Sequence, residues 1–253
     1  LKEFEMNKHI MVCVQCHFYQ RRLCWMLSSM MQQDLPEDMH ISMSVAYVSG
    51  TGNPETEAVI DTFRKEGMDV RGVPYPNIDE FQYRGWTRNK QLDECDADWI
   101  LFADCDMVYP PNFFKVMYEQ LNLDKYKDNP HCLHSRRFST TLDETEALVN
   151  KYKYPCVIPD TCGQIKVLPG KKKSNIGAGF CQLANVEILK NSKHPWYCVP
   201  GKKIDYSYSK YHKTKSDMHF RRRLKSEKIP LPLQYHAQHV RSNTNKKQIY
   251  TQR

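Results

Sequence analysis

Over its first 120 residues the chain alternates between two hydrophobic periods, and this alternation restricts the fold more than any single motif. "HIMVCVQC" (9–16) is a short apolar run of the kind that forms a buried strand. "RRLCWMLSSMMQQ" (21–33) predicts a helix with Leu23, Met26, Leu27, Met30 and Met31 on one face. "ISMSVAYVS" (41–49) alternates like a strand. "PETEAVIDTFRKEG" (54–67) predicts a helix with Pro54 at its start and Gly67 just past its end. A strand is expected in "MDVRGVPY" (68–75), a helix in "RGWTRNKQLDECD" (84–96) and a strand in "ADWILFAD" (97–104). "PPNFFKVMYEQL" (110–121) follows as a helix opened by prolines. Such order implies an α/β fold: a mainly parallel central sheet with helices on both faces.

After residue 125 the pattern loosens. "CLHSRRFS" (132–139) predicts a strand, "LDETEALVNKY" (142–152) a helix, and residues 155–183 mix short strands with Gly and Pro turns. A late helix is expected in "SDMHFRRRLKSEK" (216–228) and an extended segment in "PLPLQYHAQHV" (230–240). No repeat or long linker divides the chain. The expectation is a single domain over 1–253, with a first half at about 8–125, a second at about 126–240 and a polar tail at 241–253.

No apolar run approaches the roughly 18 residues that span a bilayer. No secretory signal is read either, so the ten cysteines are expected as reduced thiols in a cytoplasmic protein. "CVQCH" (13–17) matches a haem-attachment pattern, but it sits inside a strand run, where reduced strand cysteines account for it. Cys156 and Cys162 lack the spacing of a zinc ribbon, and "GTGNPE" (50–55) lacks the Lys-Ser/Thr ending of a P-loop. The net charge is +8, with basic clusters at 170–174, 201–205, 221–228 and 243–248. That excess favours an acidic ligand: a nucleotide, a nucleic acid or an anionic membrane surface.

In "ILFADCDMVYPP" (100–111) two aspartates stand one residue apart at the end of a predicted strand. In a parallel sheet, ligands sit beyond the carboxyl ends of the strands. Two carboxylates aimed at one point repel unless a cation lies between them, and Mg²⁺ or Mn²⁺ would satisfy Asp104 and Asp106 while holding phosphate oxygens. The plainer reading is a polar turn before the next helix.

The wider stretch, Arg-x-x-x-Arg-Asn at 84–89, a helix, then Asp-Trp-Ile-x-Phe-x-Asp-x-Asp at 98–106 and Pro before a helix, resembles the nucleotide-sugar glycosyltransferases of the GT-A fold. It is most similar to the inverting family 2 and its relatives. The resemblance covers residues 10 to about 120 and extends more weakly to about 240. It implies transfer of a sugar from a nucleoside diphosphate donor, with UDP preferred over GDP, to a hydroxyl on a glycan, a glycoprotein or another acceptor. By the same resemblance, Asp104 and Asp106 are ligands of Mn²⁺ or Mg²⁺ and of the donor diphosphate, and Arg84, Arg88 and Asn89 line the donor site.

Inversion needs a general base for the acceptor hydroxyl. The resemblance points to Asp217 in "KSDMHFRRRL", although Ser216 stands where relatives carry a first acidic residue, and Asp205 is the alternative. A helix cap explains Asp217 equally simply. The resemblance also implies a late histidine as a third metal ligand or diphosphate contact, His239 ahead of His236. The segment "SNIGAGFCQL" (174–183) is similar to the family's acceptor-side glycine segment. Trp86, Tyr109, Trp196 and Tyr197 are candidates to stack on sugars, each more often a core residue. Rival readings are a nucleotidyltransferase, which would carry a Gly- and Lys-rich loop after the first strand, and a basic nucleic-acid-binding module without catalysis. A membrane-peripheral enzyme with a basic docking surface is compatible with the charge.

Overall fold

The computed structural model describes residues 8–17, 19–50, 54–81, 84–127, 129, 131–133, 137–139, 181–193, 195, 197, 220, 224, 226–232 and 234–236. The first half runs β1 (Lys8–Cys16), α1 (Gln20–Met31), β2 (Met39–Val48), α2 (Pro54–Lys65), β3 (Val70–Tyr75), α3 (Ile78–Phe81), α4 (Arg84–Asp93), β4 (Trp99–Ala103), β5 (Met107–Val108), α5 (Phe113–Leu121) and α6 (Asp124–Lys127). Then come β6 (His131–Leu133), β7 (Arg137–Ser139), β8 (Cys181–Asn185), α7 (Val186–Lys190), β9 (Ser226–Lys228) and β10 (Gln234–His236).

The main sheet has the order β3-β2-β1-β4-β8-β6-β9. Strands β1 to β4 are mutually parallel, β8 is antiparallel to β4 and β6, and β9 is parallel to β6. A small second sheet, β5-β10-β7, pairs β10 antiparallel to β5 and parallel to β7.

Strand β1 explains why both faces are covered. Ile10, Val12, Val14 and Cys16 alternate into one core with Leu23 and Met26 of α1, Ile60 of α2 and Phe114 of α5. Met11 and Cys13 point the other way, into a core with Leu92 of α4, Phe102 of β4 and Leu189 of α7. Each large apolar side chain buried this way stabilises by about 1.5–3 kcal/mol. Cys13 and Cys16 therefore sit on opposite faces of the sheet, and Cys13, Cys16, Cys24, Cys95, Cys105 and Cys181 are all buried thiols outside any disulfide.

Two details stitch the helices in place. Gln91 of α4 is buried and donates through Nε2 to the Ser44 carbonyl at 2.8 Å and the Val14 carbonyl at 3.2 Å, tying the helix to two parallel strands. Gln33, after α1, donates to the Pro110 carbonyl at 3.0 Å and accepts from the Phe114 amide at 3.3 Å. That second bond occupies one of the orphan donors at the start of α5, where Asn112 makes no side-chain cap.

Three sequence expectations are corrected. Met31 does not join the buried face of α1 and is 48% exposed. The "CLHSRRFS" run is not one strand: β6 belongs to the main sheet and β7 to the small one. The end of the expected 216–228 helix is strand β9, in parallel register with β6, where ladder pairing overrides the helical spacing. The expected helix at 142–152 lies outside the described residues.

Candidate donor-diphosphate site

The carboxyl ends of β1 and β4 open side by side, because Ile10 to Cys13 pair with Trp99 to Phe102. Asp104 is the first residue after β4. The Met107 amide donates to its carbonyl at 3.3 Å, so the chain turns sharply through Cys105 and Asp106 into β5. This turn presents the two carboxylates differently: Asp106 is only 6% exposed, whereas the Asp104 side chain is 38% exposed. The exit from the turn is anchored to α1, since the Ser29 hydroxyl accepts from the Tyr109 amide at 3.2 Å while donating to the Met26 carbonyl at 2.7 Å.

Helix α4 brings Arg88 to this turn. Its Nη2 lies 4.0 Å from Asp104 Oδ1, and its Nη1 donates to the Tyr197 hydroxyl. The guanidinium is 3% exposed and stands over two rings, 4.7 Å from the Tyr197 centroid and 5.6 Å from that of Phe102. Tyr197 in turn donates to Gln182 Oε1 at 3.2 Å, and its amide donates to Asn89 Oδ1 at 2.6 Å. Phe220 stacks on Tyr197 at 4.3 Å and 23°. Arg88 is thus a buried cation held by an aromatic box and aimed at the first aspartate.

Cys105, between the two aspartates, packs against Cys16 at the end of β1. The hydrogen bond it shares with Cys16, burial, and the nearby Cys16, Asp106 and Asp104 charges push its thiol well above the usual range. It stays a neutral spacer at neutral pH. Burial, with the fields of Cys181, Asp104 and Asp106, likewise pushes the Tyr109 phenol up. Tyr109 packs on Phe113 and Phe114, at 4.7 and 5.4 Å between centroids, so it is a core residue. Tyr197 is core as well.

Arg88 is therefore gathered with Asp104 at the turn that also holds Asp106, while Asn89 holds the Tyr197 amide that backs Arg88. Arg84 opens α4, but its side chain lies outside the described residues, as do Asp205, Asp217, Trp196 and His239. The backbone of His236 pairs with Met107, one residue past Asp106; its side chain is outside the described set. Sequence reasoning missed Gln182 and the bracing role of Tyr197. A polar residue inside the apolar "FCQLAN" run was the available signal for Gln182, because a strand buried on both faces keeps an amide only where it has a partner.

No family model and no curated protein matches the chain by sequence. Solved structures do match by shape. TarS of S. aureus (residues 1–349), in complex with UDP, superimposes with a TM-score of 0.59 at 12% identity, over 90% of this chain and 60% of that one. The mannosyltransferase PcManGT from Pyrobaculum calidifontis, in complex with GDP-Man and Mn²⁺, gives 0.56 at 11% identity, over 90% and 56%. The glycosyltransferase GlyE of Streptococcus pneumoniae TIGR4 gives 0.53 at 11%, over 92% and 55%. The chain has the α/β fold of the GT-A glycosyltransferases. It spans about 60% of the length of the TarS fragment and less of the other two. No helix among the described residues is long and apolar enough to cross a membrane.

Proposed function

We propose that the chain is a divalent-metal-dependent glycosyltransferase that takes its sugar from a nucleoside diphosphate, UDP ahead of GDP. The observation that carries this is the Asp104–Asp106 turn at the carboxyl end of β4, with Arg88 4.0 Å from Asp104, in a GT-A fold. Structures of the same fold hold UDP, UDP-GlcNAc, or GDP-Man with Mn²⁺. The donor set fits a hard cation: two carboxylates of one tight turn, one facing solvent and one recessed. Asp104 and Asp106 would hold the ion, which would offset charge on the departing diphosphate. Arg84, Arg88 and Asn89 would border the donor, with Arg88 orienting Asp104 from its aromatic box.

The antiparallel pairing of β10 with β5 sets Tyr235 opposite Val108 and His236 opposite Met107, so β10 itself runs toward the carboxylate turn. That supports a late histidine, His239 ahead of His236, as a third ligand. Asp217 is proposed as the base that takes the acceptor proton, which makes the reaction inverting. The acceptor would be a hydroxyl of a glycan, glycoprotein or similar molecule, and the whole chain would act as one catalytic domain in the cytoplasm, where its basic clusters could rest on anionic membrane.

The test is calorimetric titration of UDP and GDP, with and without Mn²⁺, into the wild type and Asp106→Ala. Binding of one nucleotide that needs both the metal and Asp106 is expected. Equal binding to wild type and Asp106→Ala, or none to either, would sink the reading.

A further inference from the structure

At the amino end of the sheet, opposite the aspartate turn, a second group of polar side chains is brought together by strand register. His9 of β1 pairs with His40 of β2, so both imidazoles rise from the same face. Ser42 follows His40 on that face. Asp69 lies just before β3 and continues its ladder beside Ser42, with the Met43 amide bonded to the Asp69 carbonyl at 2.8 Å. The two rings lie 4.6 Å apart between centroids. His40 Nε2 is 2.8 Å from Asp69 Oδ2, and His9 Nε2 is 2.7 Å from Ser42 Oγ.

We infer that His9, His40 and Asp69 form a second metal site, built for a borderline transition ion such as Zn²⁺ and separate from the donor diphosphate site. One ligand atom from each residue lies within 4.8 Å of the other two. Tetrahedral Zn²⁺ with bonds near 2.0–2.1 Å needs ligand atoms about 3.4 Å apart. Closing that gap takes small side-chain rotations, and His40 and Asp69 are more than half exposed and free to make them. The donor chemistry is that of zinc sites, two imidazoles and a carboxylate, which leaves a fourth position for water. The Ser42 hydroxyl on His9 is the kind of outer partner that fixes a ligating ring.

The position defines what the ion would do. Cys16 at the donor end lies seven positions along β1 from His9, about 23 Å of strand. An ion there cannot reach a diphosphate held at Asp104. It would instead clasp β1, β2 and the lead into β3, adding to the backbone ladder and to the His9–Ser42 and His40–Asp69 contacts that already join them at this end.

The experiment titrates Zn²⁺ into the full chain in excess Mg²⁺ and phosphine reductant, by calorimetry and thermal melting, for wild type, His40→Ala, Asp69→Asn and Asp106→Ala. Co²⁺ spectra are recorded alongside. One equivalent should bind to wild type and to Asp106→Ala and raise the melting temperature of both. Affinity should fall at least tenfold in His40→Ala and Asp69→Asn, which alter exposed side chains and leave the core intact. Co²⁺ should show nitrogen and oxygen ligation without a thiolate charge-transfer band. Wild-type affinity in His40→Ala, a thiolate band, loss of the site in Asp106→Ala, or no binding at all overturns the proposal.

Discussion

The Arg88 guanidinium stands 4.7 Å from the centre of the Tyr197 ring and donates to the Tyr197 hydroxyl, while its other terminal nitrogen lies 4.0 Å from Asp104. A residue 109 positions further along the chain thus sets where the cation beside the first aspartate sits. Tyr197→Phe keeps the stack on Phe220 and the edge contact with Phe102 but removes the oxygen between Arg88 and Gln182. A buried charge losing an acceptor should cost about 1–3 kcal/mol of stability in urea unfolding. On the proposed function, metal-dependent nucleotide affinity should weaken severalfold as well. Unchanged stability would mean that the hydroxyl does not hold Arg88.

The two aspartates should separate by stability as well as by binding. Asp106 is recessed and Asp104 half-exposed, so the folded state carries the desolvation of one carboxylate much more than the other. Asp106→Asn should abolish Mn²⁺-dependent nucleotide binding while keeping or raising the melting temperature of the metal-free protein. Asp104→Asn should weaken binding at least tenfold and lower stability by no more than about 1 kcal/mol, because its pairing with Arg88 is at long range and partly solvated. A melting temperature that falls sharply in Asp106→Asn would make that carboxylate a structural group.

His17 follows β1 at the same end of the sheet, beside Phe81 at 5.7 Å between rings. Burial pushes its imidazole down to about 4 from the ordinary 6.5. The unfolded chain takes up this proton near 6.5 and the folded chain only near 4, so the unfolded state gains protons first as the pH falls. The contribution is therefore full above 6.5 and is lost on descending towards 4. Since the ring is partly solvated, the swing should be about 1–2 kcal/mol. Urea midpoints of wild type and His17→Gln at about pH 7.5 and about pH 4.5 check this. The difference between the two proteins should shrink or reverse in acid; an offset that does not change with pH would reject it.

Sequence and structure agree where local pattern and topology point the same way. Helices α1, α2, α4 and α5 and strands β1 to β4 were legible because each bears its own period, and so was the position of the aspartate pair just past the end of β4. The placement of Arg88 was not. Its helix reads as polar, and only the return of Tyr197 and Phe220 beneath it turns an apparently solvated arginine into a buried one. The cluster of His9, His40 and Asp69 was hidden for the same reason, since register between strands is invisible in a single chain segment. Strand β9 escaped because three residues of ladder pairing outweigh a weak helical spacing.

Two glycines around the β2–β3 edge serve different purposes, which substitution should expose. Gly67 ends α2 with φ +91, its amide bonded to the Arg64 carbonyl at 3.1 Å and the Met68 amide to that of Phe63 at 3.0 Å. A Cβ there meets nothing within 4 Å, so Gly67→Ala costs only backbone strain, about 1 kcal/mol. Gly72 has ordinary backbone, but a Cβ on it would stand 2.9 Å from Cε1 of Tyr47 and 3.4 Å from Cδ1 of Ile60. Tyr47 is buried against α2, so its ring has to move, and Gly72→Ala should cost about 1–3 kcal/mol. The cause is steric and local, so it should couple to its neighbour. In a Tyr47→Leu background, which removes the crowding ring edge, the cost of Gly72→Ala should largely vanish, whereas that of Gly67→Ala should stay the same. Urea unfolding of the two double-mutant cycles measures both. Equal costs for Gly72→Ala in the two backgrounds would show that the Tyr47 ring is not what excludes a side chain there.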